Sequence, residues 1–273
     1  MKAVLRRSMK VYFDDFIMTR VDKTLEDIMS EKPFSRWDAG YWQPVWETLN
    51  EIVLPLTELG ELMQTKGITY GQVGKRIFSD KGKVQYLQVI TLKPTGIDFF
   101  KRNDKVKEGS RNDPERSRLK PGQLLLSRTS FPEMDTLIGR CVVVPKTIGK
   151  ANVSEDIDVI TLKNEIIPEV VCTFLKTKYG QDQIHRKKKG VKSIKINFDE
   201  ICSIKIPIFY DSVTSNIKSE YNKMSKFHNK AMDAKSKGND TIYKKNIAKA
   251  EAMLKKLIER TEAVIRGERK DVV

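Results

Sequence analysis

Cationic and small polar side chains gathered in short runs are the most chemically suggestive feature of this 273-residue chain. Arg186-Lys187-Lys188-Lys189-Gly190 reads as a compact cationic turn, with His185 before it and Lys192 just after. Lys101 to Lys120 carries eight basic and four acidic residues and almost no apolar ones; Lys101, Arg102 and Arg111 lie within it. Thr69, Tyr70, Gln72, Lys75 and Arg76 form another group, and Arg128, Thr129 and Ser130 a further one. Reading a duplex requires Arg, Lys, Asn, Gln, Ser or Thr at base edges, with more cations on phosphates. The formal net charge of +15 points the same way, because a basic surface gains free energy by displacing counterions from a phosphate backbone. Double-stranded DNA is therefore the expected ligand, and loops held by a stiff sheet are the means of presenting such a mixture.

Signals for bond-making chemistry are missing. A phosphate-gripping loop needs Gly, four residues, then Gly-Lys-Ser/Thr. Here Thr69 stands where the first Gly belongs, and Gly74-Lys75 is followed by Arg76. There is no G-x-G-x-x-G for a dinucleotide. Asn112-Asp113-Pro114-Glu115 lacks the second proline and the aromatic that would stack on an extruded base, and reads as a turn. Asp233 and Lys235 lie on a helix with no strand beneath them, unlike a metal-dependent nuclease centre. Cys141, Cys172 and Cys202 are about thirty residues apart, and His185 and His228 are the only histidines, so zinc is not expected. No enzyme activity and no cofactor are expected. A sparse, odd cysteine count suits a reducing cytoplasm, and no run approaches a membrane span or a signal peptide.

The elements that would position these residues are legible in the periodicity. Residues 1–54 read as a helical N-terminal segment, with Val11, Phe13, Phe16, Ile17 and Val21 on one side. Trp37, Trp42 and Trp46, near Pro33 and Pro44, read as anchors pinning that segment to the body rather than as stacking platforms. A short helix from Trp46 to Val53 is expected. Residues 55–210 are β-rich: strands are expected at Val84–Leu92, Gly122–Ser127, Arg140–Val144, Asp158–Leu162, Lys192–Asn197 and Ile204–Ile208. A helix is expected after Ile167, where Pro168 suits a first helical position. Residues 211–273 carry a three-and-four apolar seam from Val213 to Ala234 and again through Tyr243, Ile247, Leu254, Leu257 and Val264. That pattern suits a coiled coil or a helical hairpin, and Lys237-Gly238-Asn239-Asp240 favours the hairpin. Tyr243, Ile247, Leu254, Leu257 and Val264 are the expected partner-binding residues, with a homodimer or another protein as partner. His228 is expected to face solvent. The fold class is α+β: a mixed-sheet domain followed by a long-helix arm.

Ser35-Arg36-Trp37-Asp38-Ala39-Gly40-Tyr41-Trp42-Gln43-Pro44 resembles the opening Arg-x-Asp-Ala-x-Tyr-Tyr-x-Pro segment of specificity subunits of type I restriction-modification systems. Leu56 to Leu62 looks like that family's short helix, and Gly67-Ile68-Thr69-Tyr70-Gly71 like its glycine turn. Lys120-Pro121-Gly122-Gln123-Leu124-Leu125-Leu126-Ser127-Arg128 resembles its Gly-Asp-Ile-Leu-x-Ser-Arg strand, continued by Gly139 to Val144. Leu175 to Gln181, then Gly190, Ile194 and Ile204-Lys205-Ile206-Pro207, look like its closing part. Together these motifs cover about Pro33 to Ile208. The resemblance implies a target-recognition domain that reads a few base pairs through the major groove, and helices that bind a DNA methyltransferase subunit, with a restriction subunit as a further candidate. The family usually carries two such domains; this chain has one, like a half-subunit. Gln123 replaces the usual Asp, and Pro207 stands without a second proline. A rival reading is an interaction protein that uses the same fold to bind a methyltransferase or nuclease complex without directing its sequence choice.

Overall fold

The computed structural model describes residues 44–130, 137–190 and 194–273, and of residues 44–47 the backbone alone. The expected N-terminal helix, Trp37, Trp42, the Trp46 side chain and Lys192 lie outside the described residues. Pro44–Glu51 forms a 3-10 helix where a short helix was expected.

Leu124, Leu125 and Leu126 run together because the strand they form is covered on both faces. That strand, β7 (Leu124–Ser127), belongs to a four-stranded antiparallel sheet with β2 (Met63–Tyr70), β9 (Cys141–Val143) and β11 (Ile157–Leu162) in the order β2-β11-β7-β9. Leu124, Leu126 and Ile160 point into a core shared with helices, while Leu125, Val142 and Val159 point the other way. Each fully buried leucine is worth about 2 kcal/mol of apolar transfer. The second face packs on a three-stranded sheet, order β10-β3-β6, of β3 (Val84–Leu87), β6 (Lys105–Val106) and β10 (Ala151–Val153). Among the described strands the parallel pairing is here, between β3 and β10. Short ribbons complete the domain. β1 (Leu56–Glu58) pairs with β13 (Lys205–Pro207), β4 (Leu92–Lys93) with β5 (Gly96–Ile97), and β8 (Thr129–Ser130) with β12 (Ile194–Lys195).

Several expectations are corrected. Leu56 to Leu62 is β1 followed by a single helical turn, α1 (Leu59–Leu62), because the register Leu56↔Pro207 through Glu58↔Lys205 overrides local propensity. Gly67 to Tyr70 is not a turn but the end of β2, where Gly67 sits against the Thr161 carbonyl beside a register shift. Gly71 is where the chain crosses to the second sheet: a Cβ there would lie 1.8 Å from the Val153 carbonyl oxygen, so only glycine fits. Val84 to Leu92 is not one strand; it breaks into β3, a 3-10 turn at Val89–Thr91, and β4.

The helical layer comprises α2 (Pro168–Lys176), with Pro168 at its start as expected, α3 (Lys178–Arg186) and α4 (Phe198–Cys202). The final helices, α5 (Asp211–Ser236) and α6 (Asp240–Ile265), form the expected hairpin. Gly238 takes φ +69° between them, and the Asn239 carboxamide accepts from the Ile242 amide at 3.0 Å, capping α6. Each helix is 26 residues, about 39 Å long. Contacts of Asn216 with Asp271, Phe227 with Lys249 and Lys235 with Tyr243 fix them as antiparallel.

Candidate nucleic-acid interface

β2 and β7 finish, and β9 and β11 begin, at one end of the four-stranded sheet. The segments after Tyr70, after Ser127 and before Ile157 therefore emerge side by side. Thr69 and Tyr70 close β2 at that end, Gln72, Lys75 and Arg76 lie in the segment that follows, and Arg128, Thr129 and Ser130 come directly after β7.

On the helix-facing side lies an arginine between two rings. The Arg128 guanidinium is 4.7 Å from the Tyr70 ring centroid and 4.8 Å from that of Phe198. Its nearest carboxylate oxygen, Asp158 Oδ1, is 3.6 Å away, too far for a hydrogen bond. Asp158 is fully buried, and neither of its carboxylate oxygens has a hydrogen-bond partner. Burial is the larger influence on its acidity and Arg128 the lesser, opposing one; the pKa is pushed up to about 8. At neutral pH the carboxyl is mostly protonated, so the Arg128 charge is left largely uncompensated. Neither Asp158 nor Phe198 was singled out from the sequence. The signal for Asp158 was a lone acid within Ile157-Asp158-Val159-Ile160, a strand buried on both faces.

On the other side, basic and polar residues are linked in a continuous band. Arg116 donates to the Gln72 side chain, and Arg111 donates to the Val73 carbonyl, both at 3.4 Å. The Gly74 amide donates to Glu155, which also sits 3.5 Å from Arg76. Arg76 donates to Asp156 at 2.6 Å and to the Gln88 side chain at 3.2 Å. Gln88 donates to Asp104, which holds Arg102 at 2.8 Å, and Asp98 accepts from the Lys101 amide. Lys75, Arg102, Arg111, Arg116 and Lys101 are exposed, whereas Arg76 is half-buried.

Lys101 to Lys120 is accordingly a laced segment, not a loose loop. It supplies β6 and turns on Asp113, a buried carboxylate that accepts twice from Arg118, and from Asn152 and the Gly109 amide. Burial pushes its pKa up, but those hydrogen bonds outweigh burial and hold it below the usual range.

Other candidates lie differently from the expectation. Thr129 and Ser130 are buried in the β8–β12 ribbon. Arg186 is the last residue of α3 rather than part of a turn, and Lys189 bridges Lys195. Lys187 donates to Ser203 at 2.8 Å, and Lys189 pairs with Glu200 at 2.6 Å. These side chains are half-buried, as is Lys188.

The hairpin is sewn to the domain. Leu254, Leu257 and Val264 are buried in the chain's own core with Leu124, Phe174 and Met224, so the apolar seam is used internally; Tyr243 and Ile247 are half-buried. His228, expected at the surface, is buried at the β4–β5 turn. Its Nε2 donates to the Ile97 carbonyl at 3.1 Å, which leaves Nδ1 to accept from Thr95 at 2.9 Å. A Cβ on Gly96 would meet the imidazole at 2.6 Å. Burial lowers the pKa of His228. Cys141 and Cys172, distant in sequence, meet under α5, where Tyr221 lies 3.6 Å from the Cys172 sulfur.

Among the described residues no group of three or more His, Cys, Asp or Glu is placed to hold a metal ion. No helix among them is long and apolar enough to cross a membrane. No protein-family model and no curated protein matches the chain. Solved structures similar to it over part of their length include the following three. The type I restriction-modification system S subunit from M. genitalium is 15% identical, TM-score 0.43, over 68% of this chain and 42% of that one. A chain from work on complex assembly and conformational transition of the type I R-M system is 13% identical, TM-score 0.42, over 78% and 50%. The HsdS subunit from Thermoanaerobacter tengcongensis is 12% identical, TM-score 0.41, over 82% and 50%. The chain thus spans half or less of the length of each.

Proposed function

We propose that this chain reads DNA sequence on behalf of a DNA-methylating or restriction complex and catalyses nothing itself. The observation that carries the reading is the linked band of arginines and lysines at one end of a doubly covered sheet. Asp156 and Asp104 pair with Arg76 and Arg102 and hold them in place, while Lys75, Arg111 and Arg116 remain exposed beside them. The motif resemblance from Pro33 to Ile208 supports the same assignment.

In this reading residues 55–210 are the target-recognition unit, residues 211–273 the helical arm, and residues 1–54 a segment that joins them. Lys75, Lys101, Arg102 and Arg111 take phosphates and set register. Thr69, Tyr70 and Gln72 would read base edges, with Arg76 released from Asp156 to join them, and a bidentate contact discriminates by roughly 1–3 kcal/mol. Thr129 and Ser130 shape the neighbouring ribbon, and Arg186 to Lys189 add positive potential beside it. The methyltransferase subunit docks on the outer face of the hairpin through Tyr243 and Ile247, since Leu254, Leu257 and Val264 are occupied internally. Mapping methylated bases in cells with and without the chain tests this: the methylated sequence should change. An unchanged pattern beside an active methyltransferase partner refutes it.

A second reading has one observation in its favour. Arg128, Thr129 and Ser130, which the sequence marks for reading bases, are engaged inside the protein. A chain that only occupies a methyltransferase or nuclease complex would need no free readers. It would be captured by that complex without DNA and would show one affinity for every duplex.

A further inference from the structure

Apolar side chains stand in the middle of the cationic band. Val73 is 53% exposed and Ile77 61%, with Phe78 beside them at 39%. Single apolar residues at a surface need no explanation. These sit on one loop, residues 72–79, whose backbone is tied down along its length. Gln72 bridges Ser154 at its start, and the Gly74 amide donates to Glu155 at 2.9 Å. At its centre the buried Asn112 side chain accepts from the Ile77 amide at 3.0 Å and donates to the Lys75 carbonyl at 3.3 Å. At its end the Ser79 amide donates to the Lys105 carbonyl at 2.9 Å, and the Phe78 ring meets buried Tyr86 edge-on at 5.7 Å. Asn112 is fixed in turn by its neighbour Asp113, which accepts from Asn152 at 2.9 Å, while Asn152 accepts from Ser117 at 2.7 Å. Phe78 thus has a packing partner, whereas Val73 and Ile77 belong to none of the apolar clusters of the described residues. Fixing a backbone costs entropy, and a loop already fixed presents its side chains to a ligand with little further ordering.

Exposed cations flank the pair. Lys75 lies between them in sequence, Arg111 donates to the Val73 carbonyl, and Arg116 donates to Gln72. The acids nearby, Glu155 and Asp156, are engaged by the Gly74 amide and by Arg76. Apolar groups ringed by cations match a polyanion that carries apolar groups of its own. Duplex DNA offers these in the major groove, where the C5-methyl of thymine is the apolar group on the base edges; the minor groove has none. We infer that residues 72–79 enter the major groove and that Val73 and Ile77 recognise thymine by its C5-methyl, while Lys75, Arg111 and Arg116 hold the phosphates alongside. Both side chains are β-branched and stiff, so each presents its methyl groups in a set direction. A wedge between base steps is disfavoured, because the aromatic ring suited to it, Phe78, is committed to Tyr86. The inference rests on the DNA-reading assignment and deepens it, adding an apolar component of sequence choice to the polar readers Thr69, Tyr70 and Gln72.

Deoxyuridine differs from thymidine only in lacking that methyl, so it removes the contact and leaves the protein native. The full chain, with any methyltransferase partner it captures, is titrated with the duplex it selects from a random pool, each thymine being replaced in turn by deoxyuridine. At one or more positions the replacement should weaken binding about threefold to fivefold, the effect of burying one methyl group. Because the contact carries no charge, that ratio should be the same at about 50 and about 200 mM salt, although both affinities fall. In the double variant Val73→Ala, Ile77→Ala the ratio at those positions should drop to about one, the sensitivity to a single methyl being lost. Its melting temperature should match the native chain, since both side chains are exposed. A selected duplex without thymine, uracil tolerated at every position, or a uracil penalty that persists in the double variant overturns the inference and leaves the DNA-reading assignment standing. So does a double variant that binds every duplex like the native chain but no longer captures the partner, which makes the pair a protein-docking surface. A native chain that enriches no sequence overturns both.

Discussion

Replacing Asp158 by Asn isolates the cost of placing a carboxyl under Arg128 with no hydrogen bond. The fold holds this group's pKa at about 8, against an ordinary 3.8. The native state therefore keeps a proton that the unfolded chain releases, and between these two values the unfolded state is favoured progressively as pH rises. Each pH unit in that window costs about 1.4 kcal/mol, so the burden approaches on the order of 5 kcal/mol by pH 8 and then levels off. Asn keeps the shape and removes the titration. Its own unpartnered amide costs about 1–3 kcal/mol, but that offset does not vary with pH. Urea unfolding of both proteins from pH 5 to pH 9 should show Asp158→Asn gaining on the native chain by about 1.4 kcal/mol per unit up to pH 7, then reaching a plateau. A difference that is flat with pH, or a native chain that gains as pH rises, would mean that Asp158 and Arg128 form a stabilising ion pair and that the burial argument is wrong.

Three other outcomes follow from particular contacts. Gly71→Ala must push β2 and β10 apart, since its Cβ would fall 1.8 Å from the Val153 carbonyl; a loss of about 3 kcal/mol and a melting temperature lower by about 6–10 °C are expected by calorimetry. The depressed pKa of His228 means the unfolded chain protonates first as pH drops below about 6.5, so stability should be full above that value and fall below it. The acid-side loss should be smaller in His228→Gln, and equal pH profiles for the two proteins would rule out this residue as its source. Changing Lys75 and Arg111 together to Gln should weaken every duplex alike and flatten the salt slope by about two, as read by fluorescence anisotropy; altered sequence preference would instead make them base readers.

The strands and the hairpin were legible because their apolar spacing is a direct image of burial. Leu124-Leu125-Leu126 has no alternation because both faces are covered, and Pro168 and Gly238 punctuate helices as backbone chemistry requires. Gly67 and Gly71 misled, since close backbone approach in a strand crossing demands glycine as strongly as a turn does. The cationic runs were visible, but their partners were not. Asp98, Asp113, Asp156 and Glu200 are remote in sequence from some or all of the groups they hold, and only pairing register brings them near. His228 was misplaced for the same reason: on its helix it sits among lysines, and the β4–β5 turn that buries it comes from residues more than a hundred positions earlier.

The most direct test of the central claim is selection of duplexes from a randomised pool by the full-length chain, with any methyltransferase partner it captures, followed by a salt titration of the winner. Enrichment of one short sequence is expected, bound at least about a thousandfold more tightly than scrambled DNA, with an affinity that falls by two to three powers of ten between 50 and 200 mM salt for about five phosphate contacts. A pool that emerges unenriched, with equal and salt-insensitive binding throughout, would contradict the claim that this sheet end reads DNA.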